Sequence, residues 1–242
     1  MQNEELKKKQ EEIENYYDSY VGRQKNVGVN ARHKSILSHS IEEGLKKTDT
    51  VLEIGCGIGT FSGLLIDYVN EGKVVSMDIS GESIELAKST YKQANSNFIH
   101  ADATDYEFGD LSFDKIIMPD VIEHIPVELH AKMFEKLSRI LKNDGAIFIH
   151  IPNPYYLQWC HENRTDLLQV IDQPITTDIL VSNTYKYGLF IQKLISYSIW
   201  IVDNDYQFIV LRKNGYQNFK NEIVTTPTIV DKIKYKLKGG KK

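Results

Sequence analysis

Val51-Leu-Glu-Ile-Gly-Cys-Gly-Ile-Gly-Thr60, followed by Val74-Val-Ser-Met-Asp78, decides how this chain is read: an apolar run enters a Gly-x-Gly-x-Gly turn, and the next apolar run ends in an acid. Such runs suit strands buried on both faces of a parallel sheet. Gly55, Gly57 and Gly59 let the backbone turn sharply and approach a ligand with no Cβ in the way. Asp78 falls 23 residues after Gly55, near the ~20-residue offset at which an acid ending the second strand meets ribose hydroxyls. The pattern predicts a nucleoside-containing ligand. A dinucleotide fingerprint would place its third glycine at position 60, where this chain has Thr60, so the pattern departs from that of a nicotinamide site.

Later segments continue the alternation of strand and helix. Asn97-Phe-Ile-His-Ala-Asp102-Ala103 reads as a third strand ending in an acid and a small residue, and Asp114-Lys-Ile-Ile-Met-Pro-Asp-Val-Ile-Glu-His-Ile-Pro126 as a fourth strand running into a turn. Leu129, Met133, Phe134, Leu137, Ile140 and Leu141 repeat on one helical face between Val127 and Leu141. Lys142-Asn-Asp-Gly145 is expected to close that helix before a fifth strand, Ala146–Ile151. Ile199-Trp-Ile-Val202 and Tyr206-Gln-Phe-Ile-Val-Leu211 read as the last two strands, joined through Asp203-Asn-Asp205 by a short and therefore antiparallel hairpin.

These motifs, in this order, resemble those of the class I S-adenosylmethionine-dependent methyltransferases, over about residues 45 to 155. The resemblance implies an α/β, Rossmann-like seven-stranded sheet with an antiparallel last strand, helices on both faces and an N-terminal helical lid. It implies S-adenosylmethionine as cofactor, held by Glu53, Gly55, Cys56, Gly57, Gly59, Asp78, Ile79, Asp102, Ala103 and Asp120. Arg32, just before an amphipathic helix with Ile36, Leu37, Ile41 and Leu45, is placed either on the cofactor carboxylate, for which a guanidinium offers a bidentate fork, or in a surface salt bridge.

The expected organisation is a helical arm over 1–45, a methyltransferase domain over 46–220 with an acceptor-pocket insertion near 153–197, and a Lys-rich tail over 221–242. Within the arm, Tyr16-Tyr17-Asp18-Ser19-Tyr20 is either a lid that sends a tyrosine into the site or an apolar patch that docks the helix. In the insertion, Trp159, His161, Arg164, Tyr185, Tyr187 and Phe190 suit a ring or sugar acceptor. Asn153-Pro154-Tyr155 approaches the Asn-Pro-Pro-Tyr signature of nucleobase amino methylation, but it follows the fifth strand and lacks the second proline.

Methylating a hydroxyl calls for a general base, and His124, after the fourth strand, is the first candidate. Glu123 beside it would orient the imidazole or line the pocket, Tyr17 is a further catalytic candidate, and His33 and His150 are reserves. The opposing possibility is that Glu123 and His124 only brace their turn. Asp120 and His124 are four apart, but no third ligand accompanies them and no metal is expected. Two cysteines, 41% apolar content and no apolar run of membrane-spanning length suggest one large cytoplasmic domain.

A net charge of −4 leaves no nucleic-acid footprint, so a small-molecule acceptor is expected and no nucleic-acid partner. From Asp231 onward six lysines accompany one acid, read as a solvated end, with an anionic membrane surface or a phosphorylated substrate as the alternative. The rival readings are a nucleotide- or NAD-binding oxidoreductase and a non-catalytic cofactor-binding partner subunit.

Overall fold

A computed structural model describes residues 13–19, 22 and 27–213. The tail expected over 221–242 and the arm before residue 13 lie outside the described residues. Seven strands form one sheet: β1 (Thr50–Ile54), β2 (Lys73–Asp78), β3 (Ser96–His100), β4 (Phe113–Pro119), β5 (Leu141–Pro152), β6 (Leu189–Tyr197) and β7 (Tyr206–Lys213), in the order β3-β2-β1-β4-β5-β7-β6. The first five are parallel neighbours, while β7 runs antiparallel to both β5 and β6.

Side-chain alternation along the central strands divides the core between the two faces. Leu52, Ile54, Ile116, Met118, Ile147 and Ile149 pack with Met133, Phe134, Leu137 and Ile140 of α4 (Val127–Ile140) and with Leu180 of α6 (Thr177–Thr184). Val51, Ile117 and Phe148 face the other way, onto α1 (Ala31–Glu42), α2 (Thr60–Tyr68) and α3 (Gly81–Thr90). α5 (Pro154–Asn163) follows β5, with Asn153 capping it and Pro154 in its first turn, so the prolines that break β5 also start a helix.

Two boundaries differ from the sequence reading. β5 already starts at Leu141: Phe113 pairs with Leu141 and Lys115 with Ala146, so Lys142–Gly145 is a bulge within the strand. The sixth strand is Leu189–Tyr197, within the span assigned to the insertion, and the apolar run Ile199–Val202 is a turn. The buried Asp205 carboxylate accepts the backbone N–H groups of Ile199 (2.7 Å) and Trp200 (2.9 Å), which fixes that turn and leaves Trp200 and Val202 exposed. β6 lies at the sheet edge with Gln192 and Lys193 in it, so it lacks the apolar alternation that marks a half-buried strand.

Candidate active site

A cavity of about 480 Å³ opens at the C-terminal ends of β1 to β4, where the strand order reverses. Crevices of doubly wound sheets form there because connections leave to opposite sides. The turn after β1 forms its floor. Gly55 and Cys56 donate backbone N–H groups to the Met77 carbonyl at the end of β2 (2.8 and 3.1 Å), and the Gly57 N–H donates to Asp78 Oδ2 (2.7 Å). Gly55 has φ +76°, and a Cβ there would lie 2.2 Å from Val121 Cγ2. The glycine is therefore demanded by the loop after β4 as much as by a ligand.

The acids along this wall differ in what already holds them. Glu53, on β1, is fully buried; its Oε2 accepts the Ser62 and Ser76 hydroxyls (2.6 Å each), while Oε1 has no hydrogen-bond partner among the described residues. Burial pushes its carboxyl up to about 7, against the two serine hydrogen bonds. Asp78 accepts from Gly57 and from the Ser80 N–H (2.9 Å), and burial raises its pKa. Asp102 Oδ1 accepts the Thr104 N–H (2.8 Å). The helical segment 13–19 covers this half: Asp18 Oδ1 accepts the Ser80 hydroxyl (2.6 Å) and the Glu82 N–H (3.3 Å), which ties the segment to the start of α3.

Beyond β4 lies a charge cluster in which His150 is buried and Arg32 and Asp120 are partly buried. Asp120 has φ +55°, a conformation that Asp tolerates better than most side chains. Its Oδ2 lies 2.7 Å from Arg32 Nη1, its Oδ1 2.5 Å from His150 Nδ1, and its N–H donates to the His150 carbonyl (2.8 Å). Arg32 and His150 hold the Asp120 carboxyl at about 2 despite its burial. His33, one residue on, accepts the Asn30 N–H at Nδ1 (3.2 Å), so its proton sits on Nε2. Burial lowers its pKa to about 4 and keeps it neutral.

His124 ends the 3₁₀ turn Ile122–His124, and its surroundings come from residues 45 to 48 positions later. Nδ1 lies 2.6 Å from the Ile171 carbonyl and 3.2 Å from Asp172 Oδ1. A carbonyl only accepts, so Nδ1 carries a proton and, in the neutral ring, Nε2 carries a lone pair. Gln169 Nε2 donates to that lone pair (3.1 Å), and the Gln169 backbone N–H donates to Asp172 Oδ2. Gln173 anchors the same segment: its N–H and side-chain amide donate to the Glu123 (2.9 Å) and Ile125 (2.8 Å) carbonyls.

The cavity brings together Tyr17, Arg32, Glu53, Gly55, Cys56, Gly57, Asp78, Ile79, Asp102, Ala103, Asp120 and His124. Gly59 lies outside it: it caps α2 at φ +86°, and a Cβ there would meet the Tyr91 ring at 2.8 Å. Glu123 is also outside. Its Oε1 is 3.9 Å from His124 Nε2, both oxygens are buried without a hydrogen bond among the described residues, and burial with Asp120 nearby raises its pKa well above the carboxylate range. Asp172 and Ile171, and not Glu123, orient the imidazole. Arg32 pairs with Asp120 and makes no surface bridge among the described residues. Burial raises the Tyr17 hydroxyl, whose ring centroid is 6.2 Å from that of His124. His33 reaches the cavity, whereas His150 stands behind Asp120.

The insertion aromatics do not line the cavity; Trp159 and Tyr185 are exposed, and Tyr187 packs on the core. Gln169 is the insertion residue that does, and no periodicity or motif marked it.

A family model described as a methyltransferase domain matches residues 51–145. An O-methyltransferase of Aspergillus nomiae is 30% identical over 154 residues, 59% of this chain and 66% of that protein. The 2-phytyl-1,4-beta-naphthoquinone methyltransferase of Arabidopsis thaliana is 32% identical over 115 residues, 44% of this chain and 42% of that protein. The chain spans about half the length of the curated relatives it matches. Among solved structures, magnesium protoporphyrin IX methyltransferase from Synechocystis with bound SAH superposes with a TM-score of 0.66 at 15% identity, covering 84% of this chain and 99% of that one.

Proposed function

We propose that this chain, a class I S-adenosylmethionine-dependent methyltransferase by its matched domain and sheet order, methylates a hydroxyl oxygen of a small molecule with His124 as general base. The observation that carries the reading is the state of His124. Its Nδ1–H is engaged by Ile171 and Asp172, so in the neutral ring Nε2 is the basic nitrogen, and the residue lines the cavity.

The residues present fit the cofactor. Glu53 lines the cavity and its Oε1 is a buried acceptor without a hydrogen-bond partner among the described residues, as a methionyl ammonium requires, and Asp78 and Asp102 stand at or just beyond the ends of β2 and β3 for hydroxyl and adenine groups. When bound, the cofactor supplies a methyl group on a positively charged sulfur. The protein's part is to hold the acceptor oxygen in line behind that group, for which positioning alone contributes several kcal/mol, about 7 or more in well-oriented systems. His124 Nε2 takes the hydroxyl proton as the new C–O bond forms and the C–S bond breaks. Asp172, 3.2 Å from Nδ1, then stabilises the imidazolium.

A sugar or another hydroxyl-bearing metabolite suits a cavity of about 480 Å³ shared with the cofactor. The O-methyltransferase among the relatives supports oxygen as the acceptor atom. A cytoplasmic setting belongs to the same proposal, supported by two buried free cysteines; among the described residues no helix is long and apolar enough to cross a membrane.

Calorimetry with S-adenosylmethionine and its demethylated product tests the cofactor, with Asp78→Ala expected to weaken both by about 1.5 to 3 kcal/mol. Radiolabelled methyl transfer to hydroxyl-bearing acceptors tests the reaction. Heat with NAD and none with either sulfur ligand would overturn the reading.

A further inference from the structure

We propose that the end of the sheet at which the cavity opens is a membrane-docking surface, where Trp159, Trp200 and their apolar neighbours enter the headgroup layer of a lipid bilayer. The surface lies outside the cavity, and its role does not depend on the acceptor. Large apolar side chains are exposed unevenly over the molecule. Among the described residues twelve are exposed, and nine of these stand at the C-terminal end of the parallel strands. Val27 and Val29 precede α1, which packs on one face of the sheet. Tyr155 and Trp159 of α5, with Leu167 and Val170 after it, lead to α6 on the other face. Trp200, Ile201 and Val202 form the turn before Tyr206, which pairs with Pro152 at the end of β5. The exceptions, Ile41, Leu111 and Tyr185, are at the opposite end, in the last turn of α1 and ahead of β4 and β6.

The aromatic flank is one connected surface. Tyr155 and Trp159 are four apart on α5 and share a helical face, while Leu157 and Cys160 are buried. Asn153 ties the start of α5 to the turn, its N–H donating to the Asp205 carbonyl and its amide to the Asn204 carbonyl (2.8 Å each). His161 Nε2, 2.7 Å from the Asp172 carbonyl, ties the end of α5 to the loop that carries Leu167 and Val170. Within the turn, the Ser198 hydroxyl donates to the Val202 carbonyl (2.8 Å), beside the two N–H groups already held by the Asp205 carboxylate. Trp200 and Val202, 56% and 90% exposed, thus stand on preset backbone, and little ordering remains to be done on docking. Both tryptophans of the chain are on this flank. Tryptophan and tyrosine, with an apolar body and a polar tip, settle at the boundary between headgroups and acyl chains.

Charge favours a bilayer over a second copy of the chain. The exposed charged side chains of α5, the loop after it and the turn are Glu162, Arg164, Asp166 and Asp203; Arg164 pairs with Asp166 at 2.8 Å, which leaves two acids. A second copy docked through the same face brings those acids together. A lipid surface leaves them in the hydrated headgroup layer. Attraction to anionic headgroups comes from outside the described residues, where six lysines accompany one acid between Asp231 and Lys242. β7 ends at Lys213 on the opposite end of the sheet, and the 17 residues between it and Asp231 can span up to about 60 Å, against roughly 26 Å for the eight residues of β7.

The test mixes the full chain with vesicles of phosphatidylcholine in equal parts with phosphatidylglycerol and follows co-sedimentation together with tryptophan emission. Since Trp159 and Trp200 are the only tryptophans, the emission reports on this surface alone. Binding should shift the emission to the blue, and lipids brominated along their acyl chains should quench it. Trp200→Ser with Val202→Ser should weaken binding about tenfold or more. Leu111→Ser with Tyr185→Ser, at the opposite end, should leave it unchanged, and circular dichroism verifies that both double variants fold. Absence of co-sedimentation, or equal losses in the two double variants, would overturn the proposal. So would co-sedimentation with unshifted, unquenched emission, which would mean adsorption through the lysines alone. A chain that ignores vesicles but dimerises with the same blue shift would assign the face to a second copy and overturn it as well.

Discussion

Replacing His33 by Gln isolates a pH dependence that the wild-type protein conceals. His33 is the third residue of α1, 9% exposed, and its Nδ1 accepts the Asn30 N–H in a capping box. Burial takes its pKa from 6.5 to about 4, with Arg32 adding to the fall and Asp120 opposing it. Because the folded-state pKa is the lower, the unfolded chain binds the proton more tightly. This contribution to stability is complete above pH 6.5 and is lost as the pH falls towards 4, at about 3 kcal/mol over the window and about 2 kcal/mol of that by pH 5. Glu53 works in the opposite sense: burial raises it from 4.5 to about 7, so its contribution is complete below 4.5 and is lost as the pH rises through 7. The two nearly cancel between pH 5 and 7, and a wild-type stability curve shows little of either. Gln at the third helical position keeps the capping bond and cannot take up the proton. Urea unfolding of ligand-free protein, followed by circular dichroism at about pH 7.5 and pH 5, should find the variant within about 1 kcal/mol of wild type at the higher pH. At the lower pH the variant should gain about 2 kcal/mol relative to wild type. A difference that does not change with pH would refute the assignment of His33 as a buried neutral imidazole.

Gly55→Ala adds a Cβ 2.2 Å from Val121 Cγ2 at φ +76° and should cost about 2 to 4 kcal/mol in thermal unfolding, with Val121→Ala restoring part; no recovery in the double variant would show that φ alone sets the cost. Arg32→Ala leaves the Asp120 carboxylate with His150 alone and should destabilise the fold by about 2 to 3 kcal/mol, whereas Arg32→Ala with Asp120→Asn should cost less than Arg32→Ala; equal losses would mean that the ion pair is not coupled. His124→Ala should lower kcat by about 10² to 10⁴ with cofactor affinity nearly unchanged, and Asp172→Asn by about tenfold or more with an altered pH–rate profile. A full-rate His124→Ala would remove the general base and leave catalysis to positioning.

The framework was legible because its signals are local. The glycine turn at 55–59, the runs that end in Asp78 and in Asp102, and the apolar face of α4 are each short continuous stretches, where period and spacing report directly on strands, turns and helices. Those stretches determine that an α/β sheet presents acids at one edge, and the sheet order agrees. Only the tertiary structure decided which residues complete the site. Gln169, Ile171 and Asp172 reach His124 from 45 to 48 residues away, and Arg32 reaches Asp120 across 88, through segments that carry no repeat. Edge strand β6 was missed and the turn Ile199–Val202 mistaken for a strand, because edge position and the buried Asp205 carboxylate override local apolar content. Glu123 had the same local prospects as His124, and chain packing buried one away from the cavity and placed the other in its lining. Periodicity encodes which face of an element is apolar, whereas the partner of a polar side chain depends on loop closure between distant segments, which no local pattern records.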